Sequence, residues 1–409
     1  MMKFYKYFIA AAIFTPSLAL AETQISQNVY EGTLGKTKIT LQILRAQSGT
    51  SDVAAATYFY NSKRQNINLL PSDNSAGVFN ELPGDCTDID EDCKVRAEFN
   101  LKISTIGLIG NWVSKTDNKS YPVDLKLVAQ KQYVFKSDIT SASDLLDVSS
   151  FHYEDSRNFD TNPYFKKQYY GSVSYSAPKI VNGYKFQTIS DNLTKISYVS
   201  IESPQKGHDL TNIKNALSLR HIELVAEGLE CNNTLAETSD KNTYGYYNEY
   251  MSNVIHVTDN VLVIQEGGST YCGGAHPNNS ISHHVFDMKS GNELSNKDLF
   301  NIFIEKDYST ERTPQFQKLF DKITTQKKYL YTAIAGAPDD LEEDCKALFD
   351  ENTYIAIWPD NKGLVFSIDD APHAIGPCMD DYYRVPYKEM LPFMTPLAKQ
   401  LFAKELGGK

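Results

Sequence analysis

Residues 38–44 read KITLQIL, and their apolar side chains alternate with polar ones in the two-residue period of a half-buried β-strand. Many short strands at close spacing are typical of a small antiparallel barrel or sandwich. We therefore expect residues 24–136 to form a β-rich N-terminal domain of this kind. Further short strand-like stretches of this domain lie at 57–60, 67–69, 99–103, 107–112 and 123–127.

Strands and helices are mixed irregularly in the rest of the chain. Residues 137–165 are rich in Ser, Asp and Asn, which is typical of a linker, and residues 166–409 form the second predicted domain. Residues 195–201 alternate like a strand, and Asp209 can cap a helix over residues 210–229. Because regular βαβ alternation is absent, the chain as a whole is predicted to be α+β. More strands are expected at 254–257, 261–264, 354–358 and 363–368.

Residues 1–21 have the pattern of a secretory signal peptide. Lys3 and Lys6 precede an apolar run from Phe8 to Phe14, and small residues follow up to Ala21. The run is shorter than the roughly 20 residues that a membrane-spanning helix needs. We therefore expect cleavage after Ala21, export to the periplasm and no membrane span.

The charge of the chain is acidic. It has 51 Asp and Glu residues against 40 Lys and Arg residues, a formal net charge of −11. Removal of Lys3 and Lys6 with the signal peptide leaves 38 basic residues and a net charge of −13. An acidic surface repels nucleic acid and anionic lipid, so no nucleic-acid partner is expected, whereas a basic protein would be attracted.

The six cysteines of the chain predict disulfides, because an even number of cysteines in an exported protein usually pairs. Cys86 and Cys93 are close in sequence, which favours a bond between them. We then expect Cys231–Cys272 and Cys345–Cys378, although the sequence alone leaves other pairings open. None of these cysteines has the paired spacing of a zinc site.

The segment YCGGAHPN at residues 271–278 is the most distinctive local feature. Gly273 and Gly274 permit backbone conformations that other residues avoid, and the following proline restricts the chain further. The segment can be a rigid loop that presents Tyr271 and His276 to a ligand. A tight structural turn held by Cys272 is the simpler interpretation.

Histidines and acidic residues offer few candidates for chemistry. His283 and His284 are adjacent in a predicted strand and should point to opposite faces, so only one of them could approach His276. A zinc site needs three or four ligands, and we therefore expect no metal and no cofactor. His373, in a second loop, is a further candidate for ligand binding.

The acidic loop between Cys86 and Cys93 has oxygen ligands that suit calcium but not the spacing of an EF-hand, so Asp88, Asp90 and Asp92 are only weak candidates for metal binding.

Tyrosines are concentrated in residues 244–250, YGYYNEY. Tyr246 and Tyr247 are candidates for protein or glycan recognition, because a tyrosine ring combines a large contact area with a polar tip. An ordinary strand with aromatic core residues is the alternative interpretation. Signatures of nucleophile elbows, metalloproteases and nucleotide-binding loops do not occur in the sequence.

The second predicted domain of the chain resembles a known envelope domain. The segments YCGGAHP (271–277) and FDMKSG (286–291) carry the resemblance, together with GLVF (363–366), AIG (374–376) and VPY (385–387). They are similar to the extracellular domain of RsiV-type lysozyme-sensing anti-sigma factors, which also accompanies some peptidoglycan deacetylases. The resemblance covers roughly residues 165–400.

The resemblance implies binding rather than catalysis, because neither an anti-sigma segment nor a deacetylase domain is expected here. We therefore expect a non-catalytic periplasmic binding protein. Its expected partner is lysozyme, another wall-acting protein or peptidoglycan, and a basic protein such as lysozyme suits the acidic charge. An envelope hydrolase that uses His276, His283 and His373 is the alternative.

Overall fold

The computed structural model describes residues 23–48, 51–72, 77–83, 86, 89, 93–135, 139–151, 161–204, 209–237, 250–272, 276–306, 309–325, 345, 347–349 and 354–407. The chain divides into two compact units. The first unit contains Met1–Tyr58 and Asn68–His152, and the second contains Phe59–Ile67 and Tyr153–Lys409. The predicted signal peptide lies outside the described residues.

Eight antiparallel strands form a closed barrel in the order in which they follow along the chain. The first strand pairs with the second on one side and with the eighth on the other, from Thr23↔Phe135 to Leu34↔Val123. The structure thus resolves the predicted choice between barrel and sandwich in favour of the barrel. The strands are β1 (Thr23–Leu34), β2 (Thr37–Ser48), β3 (Ser51–Tyr60), β4 (Ile67–Pro71), β5 (Val78–Glu81), β6 (Ala97–Ile103), β7 (Gly107–Ser114) and β8 (Ser120–Phe135).

Aromatic side chains pack inside the barrel. Tyr58 and Phe99 are fully buried, with ring centroids 5.2 Å apart in an edge-to-face arrangement. The Glu81 carboxylate accepts hydrogen bonds from Tyr58 Oη at 2.8 Å and Trp112 Nε1 at 2.6 Å. Burial nevertheless raises the pKa of Glu81. Helix α1 (Ala142–Phe151) belongs to the same unit and lies in a segment whose composition predicts a linker.

The second unit is built mostly from small antiparallel sheets. The strands are β9 (Val173–Tyr175), β10 (Lys179–Val181), β11 (Tyr184–Asp191), β12 (Ser197–Pro204), β13 (Met251–Val257), β14 (Val261–Thr270), β15 (Asn278–Asp287), β16 (Phe303–Lys306), β17 (Ser309–Arg312), β18 (Ile355–Pro359), β19 (Leu364–Ile368) and β20 (Asp381–Val385). The strand orders in the sheets are β10-β11-β12 with β9 also on β11, then β13-β14-β15, β16-β17 and β18-β19-β20.

Helices of the second unit are mostly short. The exception is the helix that the sequence predicts over 210–229, which extends from Thr211 to Glu237. No helix within the described residues is long and apolar enough to cross a bilayer. The helices are α2 (Pro163–Tyr169), α3 (Thr211–Glu237), α4 (Asn296–Leu299), α5 (Pro314–Thr325), α6 (Tyr387–Met390) and α7 (Pro396–Leu401), with 3₁₀ turns at His373–Cys378 and Leu391–Phe393.

One large hydrophobic core connects two sheets of the second unit. It contains Val261, Val263 and Val285 from one face of the β14–β15 hairpin and the fully buried residues Leu364 and Val365 from β19. Because side chains alternate along a strand, the residues between these valines lie on the opposite face of the hairpin. The hairpin therefore has one face toward this core and one face away from it.

The three disulfides that the sequence favours are present. Cys86 is bonded to Cys93, Cys231 to Cys272 and Cys345 to Cys378. The second bond joins helix α3 to the loop after β14. Disulfides of this number are typical of proteins that fold in an oxidising compartment.

Candidate functional site

The β14–β15 hairpin carries two separate polar clusters, one on each face. Its register places Ile264 opposite His284, Gln265 opposite His283 and Glu266 opposite Ser282. Residues that face each other across strands share a face, and successive residues alternate between faces. Glu266 and His284 therefore lie on the face away from the large core, and Gln265 and His283 lie on the core face.

Glu266 is the centre of the first cluster and is fully buried. Arg220 of α3 binds its carboxylate with Nη2–Oε2 at 2.8 Å and with Nε at 3.3 Å from both oxygens. The hydroxyl groups of Tyr198 and Tyr250 also donate to it, the latter at 2.6 Å. Burial alone would raise the pKa of Glu266, but Arg220 and His284 outweigh burial and lower it. The carboxylate is thus stabilised in its charged form.

His284 lies between two carboxylates in the same cluster. Its Nδ1 is 2.7 Å from Glu293 Oε1, and its Nε2 is 3.4 Å from Glu266 Oε1. Burial acts to lower the pKa of His284, but the bond to Glu293 and the charge of Glu266 outweigh burial and raise the pKa. The protonated imidazole can donate to both carboxylates at once, which a neutral ring cannot do.

His283 belongs to the second cluster, on the core face. Its Nδ1 is 3.0 Å from each oxygen of Asp369, and its backbone N–H donates to the same carboxylate at 2.7 Å. Ser367 Oγ donates to Asp369 Oδ1, also at 2.7 Å. On the other side of the ring, His283 Nε2 is 3.2 Å from the amide nitrogen of Gln265. The four side chains form one continuous hydrogen-bonded chain.

This Ser, His and Asp combination lacks the geometry of a nucleophilic triad. A triad needs a serine that donates to one imidazole nitrogen while the carboxylate binds the other. Here Ser367 donates to Asp369, and its Oγ is 3.4 Å from His283 Nδ1, the nitrogen that the carboxylate already binds. Ser367 is also fully buried, out of reach of a substrate. The cluster therefore holds groups in place and gives no support to hydrolysis by His283.

A groove with a volume of about 980 Å³ lies beside the second cluster. The alternating residues Gln265, Gly267 and Ser269 line it, and the 3₁₀ segment His373–Cys378 provides several of the facing residues. Most of the hairpin residues that line the groove belong to the core face, whereas Glu266, Gly268 and Ser280 belong to the other face. Among the described lining residues Glu266 is the only one that carries a charge, and none is Lys or Arg. The lining residues are Met251, Gln265, Glu266, Gly267, Gly268, Ser269, Asn279, Ser280, Ile281, Ala374, Gly376, Pro377 and Met379.

Gly267 allows the two strands beside the groove to approach closely. A Cβ atom at this position would lie only 2.4 Å from the carbonyl oxygen of Ser280. Because real Cβ atoms do not approach an oxygen so closely, no larger residue fits without separating β14 from β15. The neighbouring Gly268 also lacks a side chain, so backbone forms much of the groove wall here.

The structure separates the residues that the sequence singles out. His276 is exposed before the start of β15, whereas His283 is buried. Asn278 and His283 are five residues apart along the strand, roughly 17 Å, so His276 and His283 do not meet. Tyr271 follows β14 and is half-buried.

Several predicted site residues are outside what the structure describes. Of His373 only the backbone is described, in the 3₁₀ segment that contributes to the groove. No group of three or more potential ligands within the described residues is arranged to hold a metal ion. The remaining predicted candidates, Gly273, Gly274, Tyr246, Tyr247, Asp88, Asp90 and Asp92, lie outside the described residues.

Comparison with known proteins does not show a family for this chain. No protein-family model matches the chain, and no curated protein matches it. A crystal structure of a member of the DUF3298 family from Bacteroides fragilis NCTC 9343 does match. The sequences are 16% identical, and the match covers 57% of this chain and 98% of the other with a TM-score of 0.30. A TM-score this low carries no argument about fold or function, so the site is defined by its own geometry.

The residues that build the site are largely absent from the sequence-based candidates. Glu266, Gln265 and Asp369 are single polar residues in or beside strands, and no motif distinguishes them. Only Gly267 and Gly268 mark the site in the sequence, because a glycine pair inside a strand pattern indicates that another backbone segment approaches the strand closely.

Proposed function

We propose that this chain is a non-catalytic binding protein of the cell envelope whose groove docks a basic protein such as lysozyme. The observation that carries the proposal is the groove itself, lined by apolar side chains, glycines and small polar groups without Lys or Arg. Its volume of about 980 Å³ is at the upper end of the range of ordinary ligand sites. The signal-peptide pattern and the three disulfides support a location in the cell envelope.

Binding is favoured over catalysis because the buried carboxylates near the groove are already engaged. Glu266 accepts hydrogen bonds from Arg220, Tyr198 and Tyr250, and Asp369 accepts from Ser367 and His283. A general base needs a carboxylate or imidazole within reach of a substrate proton. Engaged groups of this kind instead hold the groove walls in one conformation, which lowers the entropic cost of binding.

A basic partner is favoured by charge. The net charge of −13 without the signal peptide attracts a cationic protein and accelerates its association at low ionic strength. Peptidoglycan strands carry carboxylates of their own, so the same charge opposes them. The resemblance of residues 165–400 to a lysozyme-sensing domain agrees with this choice of partner.

The test is a calorimetric titration of lysozyme into the purified protein at about 0.15 M salt, combined with an assay of muramidase activity. We expect binding heat that decreases as salt rises, because screening weakens the attraction. The absence of both binding heat and inhibition would remove lysozyme as the partner.

A matched pair of variants locates the binding surface. Met251 lines the groove, whereas Ile255 lies on the same strand outside it, and both side chains are exposed. We expect Met251→Lys to weaken binding about tenfold or more, because it places a cation in the groove against a basic partner. Ile255→Lys adds the same charge and should bind nearly as the parent protein does. Equal losses in the two variants would place the binding surface elsewhere.

A further inference from the structure

The Asp369 carboxylate requires a hydrogen on one particular nitrogen of the His283 ring. Asp369 accepts hydrogen bonds from Ser367 Oγ and from the backbone N–H of His283, each at 2.7 Å, and lies 3.0 Å from His283 Nδ1. A carboxylate can only accept hydrogen bonds, so Nδ1 must carry a hydrogen. The ring is also held flat against Trp358, with centroids 4.8 Å apart.

The Gln265 amide turns its nitrogen toward the other nitrogen of this ring. The amide nitrogen lies 3.2 Å from His283 Nε2, and an amide nitrogen can only donate. His283 Nε2 is therefore the acceptor of this hydrogen bond. The nitrogen end of the Gln265 amide is thus committed to His283, which leaves the Oε1 end available. Among the described residues no group donates to Oε1 of Gln265, and this residue lines the groove.

We propose that Gln265 is the specificity-determining residue of the groove, and that its Oε1 accepts a hydrogen bond from a backbone amide N–H of an apolar polypeptide segment. The proposal rests on the function proposed above, since it assigns the ligand class of the same groove. Ser367, Asp369 and His283 are positioning residues that prevent the amide from turning its nitrogen toward the ligand. An acceptor of fixed orientation in the groove discriminates against ligands that cannot donate to it.

The apolar part of the ligand is indicated by the other lining residues. Met251, Ile281 and Met379 supply apolar side chains, and methionine adapts its shape to irregular partners. A polypeptide combines amide N–H groups with apolar side chains at short spacing, as this lining requires. The acidic net charge favours a polypeptide over an acidic wall glycan, although an N-acetyl sugar also offers an amide N–H.

The test is an NMR titration of the full-length protein labelled at its methionine methyl groups. The probes are N-acetyl-leucine N-methylamide and its fully N-methylated analogue, which has the same apolar group but no N–H. We expect the first probe to shift the Met251 and Met379 signals and to bind about 3- to 10-fold more tightly than the second. Equal affinities, or no shift with either probe, would overturn the assignment. Shifts with N-acetylglucosamine but not with the leucine probe would overturn the polypeptide class.

Variants test the role of the hydrogen-bonded chain. Gln265→Met keeps the size of the side chain but removes the acceptor, so the two probes should bind it equally. Asp369→Asn should reduce the preference and alter the nitrogen-15 shifts of the His283 ring, which report which nitrogen carries the hydrogen. Gly376→Ala also alters the groove lining but leaves this chain intact, because the nearest atom to the new Cβ is Met379 Cε at 3.7 Å. It should retain the preference.

The two proposals can fail separately. If lysozyme does not bind but the N–H preference is intact, lysozyme is the wrong partner and the role of Gln265 stands. If lysozyme binds through Met251 but the preference is missing, the assignment of Gln265 is wrong and the binding function stands.

Discussion

His283 and His284 are neighbours in the chain, yet their imidazole Nδ1 atoms pair with different carboxylates, Asp369 at 3.0 Å and Glu293 at 2.7 Å, on opposite faces of one hairpin. Strand alternation separates the two rings, and each ring then serves a different cluster. The His283 ring is hydrogen-bonded between Asp369 and Gln265. The His284 ring lies between the carboxylates of Glu266 and Glu293. Substitutions at these adjacent positions should therefore have unrelated effects.

His284 should make stability depend on pH. Its raised pKa in the folded protein means that its stabilising effect is fully present below about pH 6.5, its ordinary pKa, and is lost as the pH rises through the folded value. We expect the difference in unfolding free energy between the parent protein and His284→Gln to be largest near pH 6 and to shrink toward about pH 9. Urea unfolding across this range measures it. The exposed His276→Gln is the control, and a constant difference for His284→Gln would contradict the prediction.

Removing the Asp369 charge should destabilise the second unit. Asp369→Asn replaces an acceptor of three hydrogen bonds with an amide that must place a donor near Ser367 or His283. We expect a loss of about 2–3 kcal/mol, since hydrogen bonds to charged groups contribute about 1.5–3 kcal/mol each. Chemical unfolding gives this value. Asp321→Asn, on the exposed surface of α5, should change stability by less than about 0.5 kcal/mol.

Gly267 should tolerate no side chain. Gly267→Ala brings a Cβ atom against the Ser280 carbonyl, and we expect a loss of about 1–3 kcal/mol together with faster amide exchange in β14 and β15. Gly376→Ala, also in the groove, has room for its new atom and should remain near the parent in stability. Similar stabilities for the two variants would mean that β14 and β15 separate at little cost.

Loss of the Cys231–Cys272 disulfide should cost more than a typical surface change. The bond joins positions 41 residues apart, and a loop of this length corresponds to about 4 kcal/mol of unfolded-state entropy as an upper estimate. We expect Cys231→Ser combined with Cys272→Ser to lower the thermal midpoint and to increase amide exchange at the end of β14. An unchanged midpoint would show that α3 holds the hairpin without the bond.

The sequence predicts those parts of the fold that depend on local patterns. Alternation in residues 38–44 and at 99–103 predicts the strands of the barrel, and the spacing of apolar residues after Asp209 predicts helix α3. Closure of the barrel is not local, because Thr23 pairs with Phe135. No periodicity in either segment specifies that pairing.

The candidate site is harder to predict than the strands, because its residues also come from distant parts of the chain. Opposite faces for His283 and His284 follow from the strand period, but Asp369 lies 86 residues beyond His283. Arg220 and Glu266 are 46 residues apart and meet only because α3 packs against β12, from where the long Arg220 side chain reaches β14. The glycine- and histidine-containing motif at 271–278 points instead to the loop histidine His276, which the structure places on the surface away from His283.

The closed barrel also limits when the N-terminal unit can fold. Strand β1 is made first, yet one of its two neighbours is β8, the last strand of the barrel. Until β8 has been delivered, β1 has an unpaired edge that can join another chain. A chain that emerges N-terminus first therefore completes this ring only after β8 has emerged, so the whole unit closes in one late step.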